Sequence, residues 1–197
     1  VKRFGPKVEE RHPAPELEAI AHELAGESRA KIKCVQIDVT APGRSTAGGS
    51  VTSDGRITIT RRATEVLPPD EMRALLAHEV AHVLLRRGPS LLYAIPVVFF
   101  VGTLVFTLRE TPYGRALMFA PFLVMMPILL LVMPRQTRKL EIDVDRKAVE
   151  LTGDPEALIR CLERMVAASP SPGYGAIDTE THPALTRRIA AIRSVSG

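Results

Sequence analysis

Apolar and polar positions change rhythm several times along the 197 residues, and each rhythm predicts an element. A polar lead-in runs to Pro13 and Pro15. Leu17, Ile20, Ala21 and Leu24 then recur at helical spacing, and Gly26 closes the segment. Lys33 to Val39 alternates as a short strand. A loop rich in Gly, Ser and Thr follows from Thr40 to Gly55, and Arg56 to Thr60 reads as a second strand with Ile57 and Ile59 on one face. Pro68 and Pro69 precede Asp70 and Glu71, acids suited to the positive end of a helix dipole. The helix they open runs through Leu75, Leu76, Val80, Val83 and Leu84 and ends at Arg86, Arg87 and Gly88.

The pattern then loses its polar phase. Ser90 to Leu108 and Ala116 to Met133 carry no charge, and each approaches the roughly 20 residues needed to span a hydrocarbon core of about 30 Å. In a chain of this length, two helices apolar all round could not both be covered by the remaining protein, so a membrane hairpin is expected. Arg86 and Arg87 precede it and Arg135, Arg138 and Lys139 follow it, while the connecting turn holds only Arg109 and Arg115 with Glu110. By the positive-inside rule both long ends face the cytoplasm. Beyond the hairpin, Gln136 to Leu151 is helical and stops at Gly153. Asp154 and Pro155 cap a helix running to about Ala168, and a last helix spans Pro183 to about Val195.

Composition adds exclusions. A hydrophobic share of 46% with 24% charged residues is globular rather than disordered. The net charge of +4 comes without Trp, with few aromatics and with no nucleic-acid motif, so no nucleic-acid partner is expected. Cys34 and Cys161 are too few and too far apart for a disulfide framework or a thiolate metal site. Val1 to Arg11 is charged and lacks the apolar core of a signal peptide.

The chemistry concentrates in His78-Glu79-Val80-Ala81-His82, an H-E-x-x-H segment within a predicted helix. Residues four apart share a helix face, so both imidazoles reach one ion, and Glu79 projects beside them to act on a metal-polarised water. Half-buried structural histidines would instead be enclosed by Leu, Val and Ala without partners. His22-Glu23 begins the same pattern, but Gly26 stands where its second His is needed, so it receives no metal role. A catalytic zinc takes three protein ligands and an open position. Glu141 and Asp145 lie four apart on the helix leaving the hairpin, and Glu141 is the first choice for third ligand, with Asp145 orienting a histidine or an arginine. Spacing leaves open the alternative of an exposed acidic face paired with Arg138 or Lys139.

Taken in order, the H-E-x-x-H segment, the two apolar spans, the run Leu140 to Ala148, and Thr181-His182-Pro183 with Arg188 resemble the M48 family of membrane peptidases, which includes the HtpX and Ste24 proteases. The resemblance covers roughly Ile57 to Ile192. It implies Glu141 as third ligand, Asp145 as its supporting carboxylate, His182 near the substrate carbonyl and Arg188 paired with Asp145. Without it, His182 reads as a helix-cap residue and Arg188 as solvated. The chain departs from the family in having no Asn, with Thr46-Ala47-Gly48 where an Asn-Ala pair is common, and in lacking membrane spans ahead of the H-E-x-x-H helix.

The expected fold is mainly α with a small β-sheet, a zincin-like domain interrupted by a transmembrane hairpin. Residues 1–89 and 134–197 form the two parts of the catalytic domain, and residues 90–133 the hairpin. The expected function is a membrane-bound metalloendopeptidase holding one zinc ion through His78, His82 and Glu141, with Glu79 as base and His182 at the oxyanion. Its partners are protein or peptide substrates, among them misfolded membrane proteins, and the lipid bilayer. Arg56 to Thr60 could take up substrate as an added β-strand. The alternative from another class is a non-catalytic membrane scaffold keeping the zinc fold; the presence of Glu79, the residue such a protein most readily loses, weighs against it. An intramembrane protease is disfavoured because Arg73, Arg86 and Arg87 surround the motif.

Overall fold

The computed structural model describes residues 8–40, 46–85, 98, 102, 134–169, 173, 175–179 and 182–195. Contacts divide the chain into one unit of Val1–Leu85 with Arg138–Gly197 and another of Arg86–Thr137. The apolar stretches of the expected hairpin lie outside the described residues, save Val98 and Gly102, which are helical. Among the described residues, no helix is long and apolar enough to cross a membrane.

The first unit is mainly helical with a small mixed sheet. Its elements are β1 (Val8–Pro13), α1 (Pro15–Ala25), a 3-10 turn (Gly26–Lys31), β2 (Cys34–Thr40), β3 (Gly49–Val51), β4 (Arg56–Thr60), α2 (Arg61–Val66) and α3 (Pro69–Leu84). After these come α4, described over residues 134–152, then α5 (Pro155–Ala167) and α6 (Leu185–Arg193). The strands lie in the order β1-β2-β4-β3. β2 and β4 pair in parallel, with Val35 opposite Ile57 and Ile37 opposite Ile59, and the outer pairs are antiparallel. These β-branched residues suit the pleat, and Val35, Ile57 and Ile59 are wholly buried.

Three elements depart from the sequence pattern. β1 falls in the polar lead-in, β3 inside the Gly- and Ser-rich loop, and α2 directly after the second expected strand. β1 and β3 owe their form to backbone pairing with a neighbour rather than to apolar alternation. α2 begins where the Thr60 side chain accepts a hydrogen bond from the amide of Ala63 at 3.3 Å. The sheet also corrects an expectation. β4 is bonded on both sides, to β2 and to β3, so it has no free edge for an added strand. The end strand on that side is β3, which packs against α3. The last helix is shorter than expected, because Ala184 is extended and its amide donates to Asp178 at 2.7 Å.

α3 is the axis of the unit. Its residues from Glu71 to Ala81 are buried on nearly every side, with Leu76, Ala77, Val80 and Ala81 fully enclosed. It packs against α1, β3 and α5. Glu71, 1% exposed, takes hydrogen bonds from Arg164 of α5 at 2.6 and 2.8 Å. Arg73 holds Glu23 of α1 with a second two-pronged pair at 3.2 and 2.8 Å. These bonds and the apolar packing set the rotation of α3, and so the direction in which its histidines point. Asp154 caps α5 by accepting from the Ala157 amide at 2.9 Å, as its sequence predicts.

Candidate metal centre

One turn of α3 separates His78 from His82, and their Nε2 atoms lie 3.2 Å apart with the ring planes nearly perpendicular. Glu141, on α4, brings Oε1 to 3.4 Å from His82 Nε2 and Oε2 to 3.8 Å from His78 Nε2. One ligand atom from each of the three lies within 4.8 Å of the others. An ion bound tetrahedrally at about 2.0–2.1 Å separates its ligands by about 3.3 Å, so the donor set fits a single ion of zinc's size and preference for nitrogen and oxygen. The chemistry of the atoms agrees. Two imidazole nitrogens and a carboxylate oxygen turned toward one point supply lone pairs that a single cation can share.

The surroundings orient this set. One turn beyond Glu141, Asp145 is fully buried and brings Oδ1 to 3.0 Å from His78 Nδ1. The contact favours a proton on Nδ1, which leaves Nε2 as the lone-pair nitrogen. Arg188 of α6 donates to both oxygens of Asp145, at 2.7 and 2.6 Å. His182 sets Nδ1 3.0 Å from Oε2 of Glu141 while about half of its side chain stays exposed. Glu79 is 4% exposed. It lies so close under β3 that a β-carbon on Gly49 would stand 2.6 Å from its Oε1.

Electrostatics follow the packing. Burial pushes the Glu79 carboxyl up to about 7, and burial together with the neighbouring His78 brings His82 down to about 4, leaving its ring neutral and ready to coordinate. Burial alone would raise Asp145, but the Arg188 guanidinium outweighs it and holds the carboxyl at about 2. Burial opposes charge on His78 as well, and the Asp145 carboxylate reverses this, raising it. In the same way His182 overcomes burial to lower Glu141. The site therefore keeps two carboxylates charged and one imidazole neutral.

Residues 11–196 match the sequence profile of Peptidase family M48. This chain belongs to that family. A Protease HtpX homolog of Methanothermobacter thermautotrophicus is 28% identical over 161 residues, covering 78% of this chain and 60% of the relative. A Protease HtpX homolog of Aeropyrum pernix is 30% identical over 175 residues, covering 80% of this chain and 54% of the relative. The M48 chain thus spans little more than half the length of these two curated relatives. The crystal structure of S. mikatae Ste24p shares its fold, with a TM-score of 0.62 at 17% identity over 93% of this chain and 51% of that one.

Within the M48 domain, all seven residues singled out from the sequence meet in one place: His78, Glu79, His82, Glu141, Asp145, His182 and Arg188. Sequence reasoning missed Gly49 and Glu71. Gly49 carries no signal beyond a glycine in a loop, because its importance depends on what lies beneath it. Glu71 reads as a dipole-favoured acid of a first helical turn, and only the fold shows it buried against Arg164.

Proposed function

We propose that this chain is the catalytic part of a membrane-bound zinc metalloendopeptidase that hydrolyses protein substrates, misfolded membrane proteins among them, on the cytoplasmic side. The observation that carries the reading is the convergence of His78, His82 and Glu141 beside the buried carboxyl of Glu79. Family membership supports it, as do the two uncharged apolar stretches and the cationic residues that flank them.

His78, His82 and Glu141 would hold the ion. Zinc held there would lower the pKa of a water molecule and polarise the substrate carbonyl. Glu79, its carboxyl buried beside these three ligands, would take the proton from the attacking water and deliver it to the departing amine. Asp145 holds His78 by Nδ1, and Arg188 holds Asp145. With Nδ1–H of His182 donating to Glu141, the ring in its imidazolium form carries a second N–H on Nε2, which would donate to the developing oxyanion. Extended substrate runs along the outer edge of β3, which takes the part first expected of Arg56–Thr60.

The test compares detergent-purified wild type with Glu79→Gln on casein, alongside metal analysis of both. Zinc near one equivalent in each, with cleavage by the wild type alone, supports the proposal. Equal, metal-independent behaviour of the two would instead mark a scaffold.

A further inference from the structure

The cavity beside the centre, about 270 Å³ in volume, extends well past the reacting groups. It touches His78, Glu79 and His182, and it continues along α5, where Leu158, Cys161, Leu162, Met165 and Val166 line it. Leu158, Cys161 and Leu162 are core residues, whereas Met165 and Val166 are only half-buried. Residues 175–179 supply part of another wall. Gly175 adopts φ +80° there, and a β-carbon on it would stand 2.7 Å from Val166 Cγ2, so this loop presses directly on α5.

Two features define what this space accepts. Its volume lies just under the roughly 300–1,000 Å³ of sites for whole small ligands, so it suits one side chain with the adjoining main chain. Its α5 wall offers hydrocarbon, a thioether and a thiol whose ionisation burial opposes, pushing it up to about 12. Among the described residues, the one charged side chain that lines the cavity away from His78, Glu79 and His182 is Arg188, which Asp145 already neutralises with two bonds. A carboxylate or ammonium placed against α5 would lose water and gain no partner.

We infer that this cavity is a specificity pocket for an uncharged apolar side chain of Leu, Met or Phe size on a substrate residue adjoining the scissile bond, with Met165 as the residue that sets the preference. The inference rests on the peptidase reading and narrows it to a substrate class. Met165 is the apt determinant because it lines the cavity without being locked in the core, and a flexible thioether adapts to side chains of several shapes.

The experiment uses the full chain, zinc-loaded in nanodiscs, with fluorogenic peptides identical except for Leu, Met, Phe, Ala, Asp or Lys on either side of the cleavage point, which mass spectrometry locates. At one of the two positions, wild type should cleave the Leu, Met and Phe peptides with kcat/KM about 100-fold above the Asp and Lys peptides. Met165→Ala should move the optimum toward Phe. Met165→Glu should lower the Leu peptide at least about 10-fold and raise the Lys peptide. Binding of the same peptides to the Glu79→Gln protein, read by fluorescence anisotropy, should follow the wild-type order without any turnover. Equal kcat/KM across the series in an active enzyme would overturn the pocket and leave the peptidase reading standing. So would an unchanged order in both Met165 variants at wild-type zinc content. Failure of the zinc-loaded wild type to cleave any peptide would overturn the peptidase reading, and the pocket with it.

Discussion

Arg188 grips Asp145 with two parallel hydrogen bonds of 2.7 and 2.6 Å, although 43 positions separate them in the chain. The pair is buried, and the Oδ1 of Asp145 that accepts from Arg188 also lies 3.0 Å from His78 Nδ1. It ties α6 to α4 and at the same time fixes the imidazole on α3. Among the described residues, removing the guanidinium leaves this buried carboxylate with only the ring as partner. Arg188→Ala should therefore lower stability by about 3–5 kcal/mol in chemical denaturation. Asp145→Asn, which keeps the shape but loses the charge, should weaken zinc binding by about 10–100-fold in competition with a chelating dye.

Glu79 tests the chemistry separately from the fold. Glu79→Gln preserves size and packing while removing the proton acceptor. Cleavage should fall by about 100- to 10,000-fold with metal content unchanged. A variant that still cleaves at the wild-type rate would exclude Glu79 as the base.

Gly49 forms a steric gate on that same carboxyl. The Cβ of Gly49→Ala would meet Oε1 at 2.6 Å and the two carbons behind it at 2.8 Å, and the neighbouring strand cannot easily retreat. Gly48 is clamped to Thr60 by a carbonyl that accepts at 2.9 Å and an amide that donates at 3.0 Å. The substitution should reduce kcat by about 10-fold or more through displaced Glu79 while zinc stays bound. Unchanged kcat in a folded, zinc-loaded Gly49→Ala protein would show that Glu79 can be moved without cost.

Glu71 concerns stability alone. Arg164, its partner, is about half exposed, so water screens much of the pair's attraction. Glu71→Gln should lower stability by about 1–2 kcal/mol, measured as a shift in the denaturation midpoint, with zinc affinity close to wild type.

Metal should also act as a folding ligand, since its donors come from α3 and α4. Chelation should lower the melting temperature, and added zinc should restore it in proportion to the logarithm of its free concentration. An identical melting temperature with and without chelator would exclude a bound ion joining these helices.

Some of this was legible in the sequence because it is local. The H-E-x-x-H segment needs only the helical period to put two imidazoles on one face, and Pro69, Asp70 and Glu71 mark where that helix begins. The capping of α5 by Asp154 and the alternation of β4 are equally short-range. Tertiary structure decided the rest. Glu141 is brought to the histidines by long-range packing that spacing along the chain does not encode, so residue pattern alone left it level with an exposed acidic face. β1 and β3 are strands because a neighbour pairs with them, and β4 lost its expected free edge to β3 for the same reason. Gly49, Glu71 and the cavity along α5 acquire meaning only from what stands within a few ångströms, and a one-dimensional pattern holds no such distances.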